Sequence, residues 1–202
     1  MIIRQLESKD AKAFSELIVD MYSHLDNLEW FTPMPYDIDN VIGMIENPRF
    51  HIIGAFIENK LVGVSSLDYK CGKLIGKISF PNECNTNKLV EIGFNLVHSE
   101  YRGNKIMQQL IDILLDKIKN DGFEWVFTKV HKDNIASFKS CLNKGFTVWC
   151  DYSKSVKKEE FIFLSNQPFF SLIGKSNAKI TLNKFKDYNE IIVDYKILVQ
   201  KL

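Results

Sequence analysis

The sequence predicts a mixed α/β domain built around a β-sheet. Apolar residues alternate with others over residues 88–97 and 190–199, the period of a strand with one buried face. After Ser8 and after Asn104 they recur instead at helical spacing. The two patterns interleave along the chain rather than segregating, as they do in domains that pack helices on a sheet. At 202 residues the chain suits one domain spanning 1–202 and is long enough to bury a sizeable core.

The elements follow in order. Ile2 and Ile3 open a short strand, and Ser8 reads as the N-cap of a helix with Ala11, Phe14, Leu17, Ile18 and Met21 on one face. Pro33 and Pro35 prevent that helix from continuing, so the aromatic stretch 30–36 is a loop. A second helix runs over 37–46 and stops before Pro48. Strands over 51–57 and 61–69 flank Glu58-Asn59-Lys60, which suits a hairpin turn. Residues 70–87 carry Gly, Pro and Asn without a clear period.

In the strand 88–97, Val90, Ile92, Phe94 and Leu96 should share one face, with Glu91, Gly93 and Asn95 on the other. Tyr101-Arg102-Gly103-Asn104 feeds a helix striped by Ile106, Leu110, Ile113, Leu114 and Ile118 and stopped at Asp121-Gly122. Residues 123–130 are apolar on both faces, as in a central strand. Asp133 or Asn134 caps a further helix that ends at Lys144-Gly145. Strands over 146–150, 160–164 and 190–199 complete the chain, with a long excursion over 151–187.

Composition excludes several classes. The formal net charge of +1 gives no field to recruit nucleic acid or an anionic membrane. No apolar run reaches the roughly 18 residues of a membrane span, and the polar start predicts no secretory leader. Cys71, Cys84, Cys141 and Cys150 lack C-x-x-C spacing, so no metal site is expected. Together these predict reduced thiols and a cytoplasmic protein. Neither a Walker nor a dinucleotide glycine motif is present.

Within residues 89–146, three stretches resemble the GNAT acetyltransferases. The first is the strand Val90-Glu91-Ile92-Gly93-Phe94-Asn95-Leu96-Val97. The second, Tyr101-Arg102-Gly103-Asn104-Lys105-Ile106-Met107, follows the family's pyrophosphate loop, Arg or Gln, two residues, Gly, one residue, Gly or Ala. The third is Asn134 with Gly145-Phe146 eleven and twelve residues later. The resemblance implies an acyl-CoA N-acyltransferase fold, with a central mixed, mostly antiparallel sheet flanked by helices. It implies acetyl-CoA as co-substrate, without metal, and a primary amine of a small molecule or peptide as acceptor, on a monomer or homodimer.

Physical chemistry supports the second stretch. A loop at a helix N-terminus presents unpaired N–H groups and the positive end of the helix dipole to a pyrophosphate. Gly103 suits the left-handed backbone such a loop needs. The resemblance therefore assigns Arg102, Gly103, Asn104, Lys105, Ile106 and Met107 to the cofactor. Lys105 and Met107 depart from the pattern, which has Gly and then Gly or Ala there. Lys105 reads either as an ammonium near a phosphate or as a solvated lysine at a helix start, and Met107 as a core filler.

The resemblance also gives the chemistry its residues. Glu91 matches a strand glutamate that serves as general base in some members. On the face opposite the apolar set, a half-buried carboxylate would have a raised pKa suited to that work. The alternative is a solvated or salt-bridged glutamate. The resemblance implies backbone N–H groups around Leu96 and Val97 for the oxyanion, where the sheet splays and the pantetheine arm inserts. Asn134 matches an asparagine that touches that arm, and it equally suits an N-cap.

Cys141 stands where the family's acid, a tyrosine seven residues after the asparagine, is usual. It reads either as an unusual acid or as a small buried residue beside Phe138 and Leu142. Tyr101 and Tyr152 are alternative acids by proximity, and His98 and His131 stay outside the catalytic set. In the family's fold the acceptor lies between the loop 30–36 and the last hairpin, here rich in Trp30, Phe31, Tyr36, Phe161, Phe163, Phe169 and Phe170. Lys105, Met107 and Cys141 keep a second function open, a catalytically reduced module that binds CoA or another ligand as a sensor.

Overall fold

The computed structural model describes residues 1–25, 27, 30, 31, 34–71, 80–157 and 190–202, and only the backbone of 152–157 and 190–196. Its centre is a seven-stranded sheet made of β1 (Ile2–Gln5), β2 (Phe50–Ile57), β3 (Lys60–Asp68), β4 (Leu89–Val97), β5 (Trp125–His131), β6 (Thr147–Lys157) and β7 (Glu190–Lys201), in the order β1-β2-β3-β4-β5-β7-β6. Among these strands β4 and β5 pair in parallel; the other neighbours are antiparallel. Among the described residues, four α-helices cover it, α1 (Ala11–Ser23), α2 (Ile38–Glu46), α3 (Ile106–Asn120) and α4 (Ile135–Leu142).

Local chemistry explains most boundaries. Asp37 caps α2 by accepting the Asn40 N–H at 3.0 Å. Glu58 and Asn59 both take positive φ, 48° and 67°, as a two-residue hairpin turn of the type I′ kind requires. Gly122 and Gly145, φ 81° and 86°, lie just past the ends of α3 and α4.

One face of the sheet carries α1 and α2, whose Phe14, Leu17, Ile18, Met21 and Val41 pack on Ile52, Val64 and Leu96. The other carries α3 and Cys141 of α4 over Ile53, Val62, Leu67, Val90, Ile92, Val126 and Leu198. A third cluster, with Leu89, Trp125, Phe127, Ile197 and Val199, fills the far end beneath Cys71.

The structure corrects several expectations. Ser8 does not cap α1 directly; it opens a 3-10 turn, Ser8–Asp10, and its hydroxyl donates to Glu46 at 2.6 Å. Ile106, Leu110, Leu114 and Ile118 are buried as expected, but Ile113 is 42% exposed and Ile111 is buried in its place, because the sheet covers the Ile111 edge of the stripe rather than the Ile113 edge. Residues 151–157 belong to β6 and pair with β7, so the excursion begins later than residue 151. Within it the expected strand 160–164 and the aromatics Phe161, Phe163, Phe169 and Phe170 lie outside the described residues, as does the Tyr152 side chain.

The largest correction concerns β4. Val64 pairs with Leu96 and Ser66 with Gly93, so Phe94 and Asn95 together face Ser65 in a β-bulge, with Phe94 at φ 49°. The extra residue inverts the alternation. Val90 and Ile92 pack with α3, whereas Phe94 and Leu96 pack with α1 and α2, so the even positions do not share a face.

Candidate active site

The parallel ladder between β4 and β5 stops at Glu91 and Phe127. Beyond it the bulged half of β4 pairs with β3 alone, while β5 continues against β7 to His131. A cavity of about 310 Å³ spans the gap, lined from the strands by Glu91, Gly93, Asn95 and Lys129. Trp30, Phe31 and Met34 line one side, and Val130, His131, Asn134 and Ser137 another. The loop after α1 is tied down where it meets this cavity. The Met34 N–H donates to the Tyr22 hydroxyl at 2.9 Å, and the Ser15 hydroxyl donates to the Tyr36 carbonyl.

Glu91 is 7% exposed and ion-paired, Oε1 standing 2.6 Å from Lys129 Nζ. Burial pushes its carboxyl above the ordinary glutamate value, Lys129 opposes that rise, and Asp68 adds to it. Asp68 is its cross-strand partner on β3. Arg49 holds Asp68 through Nε at 2.7 Å and through Nη2 on the second oxygen, a two-pronged pair. Glu91 thus sits on the face opposite Val90 and Ile92, buried and salt-bridged. Sequence reasoning missed Arg49, Asp68 and Lys129. The available signal was a charged residue set among the apolar positions of two strands, Asp68 closing β3 and Lys129 inside β5.

Backbone donors face the gap from β4. The His98 N–H bonds to the Val62 carbonyl at 2.9 Å, and the same register joins Val97 to Gly63 and Leu96 to Val64. In an antiparallel pair successive residues point alternately towards and away from the partner strand. Leu96 N–H therefore belongs to the β3 ladder, and Val97 N–H points to the open side.

Arg102, Gly103, Asn104 and Lys105 lead into α3, with Ile106 and Met107 as its first residues. The loop is fastened to α1: Asp20 accepts both the N–H and the hydroxyl of Ser99 at 2.7 Å, and Arg102 Nη1 donates to the His24 carbonyl at 3.1 Å. Gly103 takes φ 83°, and Lys105, the N-cap of α3, is also left-handed at φ 58°. Ile106 is buried and Met107 packs on the same core, their side chains turned to the sheet. The left-handed cap explains why glycine suits the Lys105 position. Replacing Lys105 with Gly is expected to stabilise the fold by about 0.5–1 kcal/mol, the relief of left-handed strain less the entropy of a new glycine. Urea unfolding of the two proteins reads this directly, and a destabilised variant would mean that the lysine side chain, not the backbone, matters there.

Asn134 caps α4, its Oδ1 accepting the Ser137 N–H at 3.1 Å, and it also lines the cavity. Cys141 faces the core instead; it is 2% exposed, does not line the cavity, and its thiol is pushed up to about 11 by burial. Leu142 beside it is exposed. Tyr101 packs against His98 and the α3 side of the core, away from the cavity. His98 stays outside too, but His131, 3% exposed at the end of β5, lines it, with Nδ1 accepting the Asp133 N–H at 3.2 Å.

Among the described residues no helix is long and apolar enough to cross a membrane, and no group of three or more His, Cys, Asp or Glu side chains is placed to hold a metal. The four cysteines are free.

A mixed sheet opened between its parallel pair, with a helix N-terminus beside the opening, defines the chain as an acyltransferase-fold domain. The model of the Acetyltransferase (GNAT) family matches residues 11–146, and the chain belongs to that family. It is similar in fold to a ribosomal-protein-alanine N-acetyltransferase from Brucella melitensis, with TM-score 0.66, 16% identity and 100% of both chains covered. A putative acetyltransferase from Salmonella typhimurium with its cofactor acetyl-CoA superposes with TM-score 0.65 at 16% identity, over 100% of this chain and 94% of that one. The PaiA N-acetyltransferase from Thermoplasma acidophilum, in complex with coenzyme A, gives TM-score 0.59 at 17% identity, over 100% and 98%. No curated protein matches the chain.

Proposed function

We propose that this protein moves acetyl from acetyl-CoA directly to a primary amine, within one domain spanning 1–202, in the cytoplasm and without metal. The observation that carries the reading is the parting of β4 from β5 beyond Glu91, with a cavity running through it. A thioester entering there meets a backbone donor on one strand and a buried carboxylate beside it.

Each residue contributes a definite action. N–H groups of residues 103–107 at the start of α3 bind the pyrophosphate, aided by the Lys105 ammonium and Arg102. Asn134 keeps Nδ2 to hydrogen-bond the pantetheine arm while Oδ1 caps α4. Val97 N–H, with Leu96 holding the strand in register, meets the thioester oxygen as it becomes an oxyanion. Glu91 takes the proton from the attacking amine, whose ammonium form has no lone pair. The N–C bond forms, the C–S bond breaks, and its electron pair leaves on the CoA sulfur.

Isothermal titration with acetyl-CoA tests the cofactor half. Gly103→Val should weaken binding, since a β-branched residue disfavours φ 83° although no atom within 4 Å blocks a Cβ there. Unchanged affinity in a folded variant would remove the loop from the site.

Cys141 takes no part in this mechanism. Thiolate with a pKa near ~8.5 leaves without an acid, and a thiol turned into the core cannot reach the sulfur. Cys141→Ala should keep most of the activity, with a loss of stability of about 1 kcal/mol from the vacated volume. Mass spectrometry after mixing with acetyl-CoA alone should find no acetyl adduct. An adduct on Cys141 that discharges when amine is added would overturn direct transfer.

A further inference from the structure

We propose that the acceptor is a primary amine carried on an otherwise uncharged aromatic group, and that Gly93 sets this choice by leaving the position beneath that group bare. The inference rests on the transferase reading above. Three glycines lie within the described strands, Gly54, Gly63 and Gly93. Glycine weakens a strand interior, so each needs a reason. Packing supplies it for two of them: a Cβ would stand 2.5 Å from Leu6 at Gly54 and 2.8 Å from Ile106 at Gly63. At Gly93, beyond its chain neighbours, a Cβ would meet only Ser66 Oγ among the described residues, at an ordinary 3.6 Å. Nor does the adjoining bulge need glycine there, because the positive φ falls on Phe94. What Gly93 does face is the cavity. A bare strand position opening on a cavity marks the close approach of a ligand.

The register places the neighbours of this position, all on the face opposite Val90 and Ile92. Across β2, β3 and β4, Phe50, Asp68 and Glu91 form one row, and Ile52, Ser66 and Gly93 form the next. Successive positions of one face lie about 7 Å apart along a strand. A molecule over Gly93 therefore reaches the Glu91 carboxylate with an amine at one end. Its other end meets Phe94, which the bulge turns to the α1 and α2 face and whose ring stands 5.4 Å from that of Phe50. Trp30, Phe31 and Met34 belong to the same apolar cluster and line the same cavity. A further ring packs on such a wall edge-on or offset.

Charge on the acceptor is confined to its amine. Among the described residues lining the cavity, the acids and bases pair off, Arg49 with Asp68 and Lys129 with Glu91. His131 accepts the Asp133 N–H on Nδ1, as a neutral imidazole does. A second charge on the acceptor would lose its water there without gaining a counter-ion. The cavity, about 310 Å³, is also at the small end for ligand sites and must admit the thioester. In the reaction the amine nitrogen bonds to the acetyl carbon as the C–S bond breaks, the proton passes to Glu91, and the N-acetylated amine and CoA leave.

Release of CoA thiol by the full chain, at saturating acetyl-CoA, tests this with phenethylamine, ethylamine, L-phenylalanine and spermidine. Phenethylamine should exceed ethylamine in kcat/KM by roughly 10–100-fold, as burying a phenyl ring implies. It should exceed phenylalanine and spermidine, which carry further charge, by at least about tenfold. Gly93→Ala and Gly93→Val fill the bare position without altering any charge near Glu91. The alanine Cβ fits at the Ser66 contact, and valine is a good strand former. The ratio of kcat/KM for phenethylamine over ethylamine should fall at least about tenfold in Gly93→Val and by less in Gly93→Ala. Acetyl-CoA affinity, by titration, should match the parent. An unchanged ratio, or equal loss of both amines, overturns the proposal. So does a parent that prefers ethylamine, phenylalanine or spermidine, or one that binds acetyl-CoA and fails to turn over phenethylamine. If acetyl-CoA itself does not bind, the transferase reading fails first and this proposal falls with it.

Discussion

Glu91→Gln is expected to lower turnover by roughly 10²–10⁴-fold, the range for losing a general base. Glutamine has the same shape and still accepts a hydrogen bond from Lys129, but it cannot take a proton. Affinity for acetyl-CoA, measured by titration, should be preserved, because the N-terminus of α3 and its loop are held by α1 and the sheet rather than by Glu91. The parent enzyme should also show an acid limb in its pH–rate profile. The base must be ionised to act, and burial raises the Glu91 pKa, so activity should fall as pH falls through a range above that of an ordinary glutamate. The variant should lack that limb. Turnover within a few-fold of the parent, at saturating acceptor, would assign proton removal to another group or to water.

Lys129→Met should move that acid limb to higher pH and depress the rate at neutral pH. Lys129 Nζ lies 2.6 Å from the Glu91 carboxylate and is the nearer of the two cations that oppose its rise in pKa. Without it, burial and the neighbouring Asp68 act with less opposition, so Glu91 holds its proton to a higher pH. At any pH on the acid side of the limb, a carboxyl that binds its proton about tenfold more tightly leaves about a tenth as much base, and the rate falls in proportion. Alkaline pH should restore it. Lys129→Arg, which keeps the charge, should leave the limb near its original place. Lys129 is therefore a positioning residue, and the pH profile separates that role from a structural one. A Lys129→Met variant with reduced rate but an unmoved limb would show that the ion pair does not set the ionisation of Glu91.

Much of the architecture was legible in the sequence because it is written locally. Asp37 caps α2, Asn134 caps α4, and Glu58-Asn59 turns the β2–β3 hairpin, each through bonds or dihedrals within a few residues. Apolar period separated helix from strand at most elements, and Gly103-Asn104 before α3 marked an anion-facing helix start. Failures came where a neighbour decides. Ile113 and Ile111 both fit a helical stripe, and only the docking of α3 on the sheet chooses between them. Lys105 looked like a chemical departure; its φ of 58° shows that the backbone demand of the loop persists beneath a changed side chain.

By itself the sequence determined the order of elements, the mixed α/β class, the family resemblance of residues 89–146, and the candidacy of Glu91, since each rests on the chain's immediate order. Only the tertiary structure decided how the site is wired. The bulge at Phe94 and Asn95 redirects half of β4, and it exists only because Val64 and Ser66 of β3 fix the register on either side. Lys129 reaches Glu91, and Arg49 reaches Asp68, across separations in the chain that no local period encodes. Cys141 is turned into the core by the packing of α4, which removes it from the chemistry its position suggested. Strand register acts between segments distant in sequence, and a single inserted residue inverts which side chains share a face.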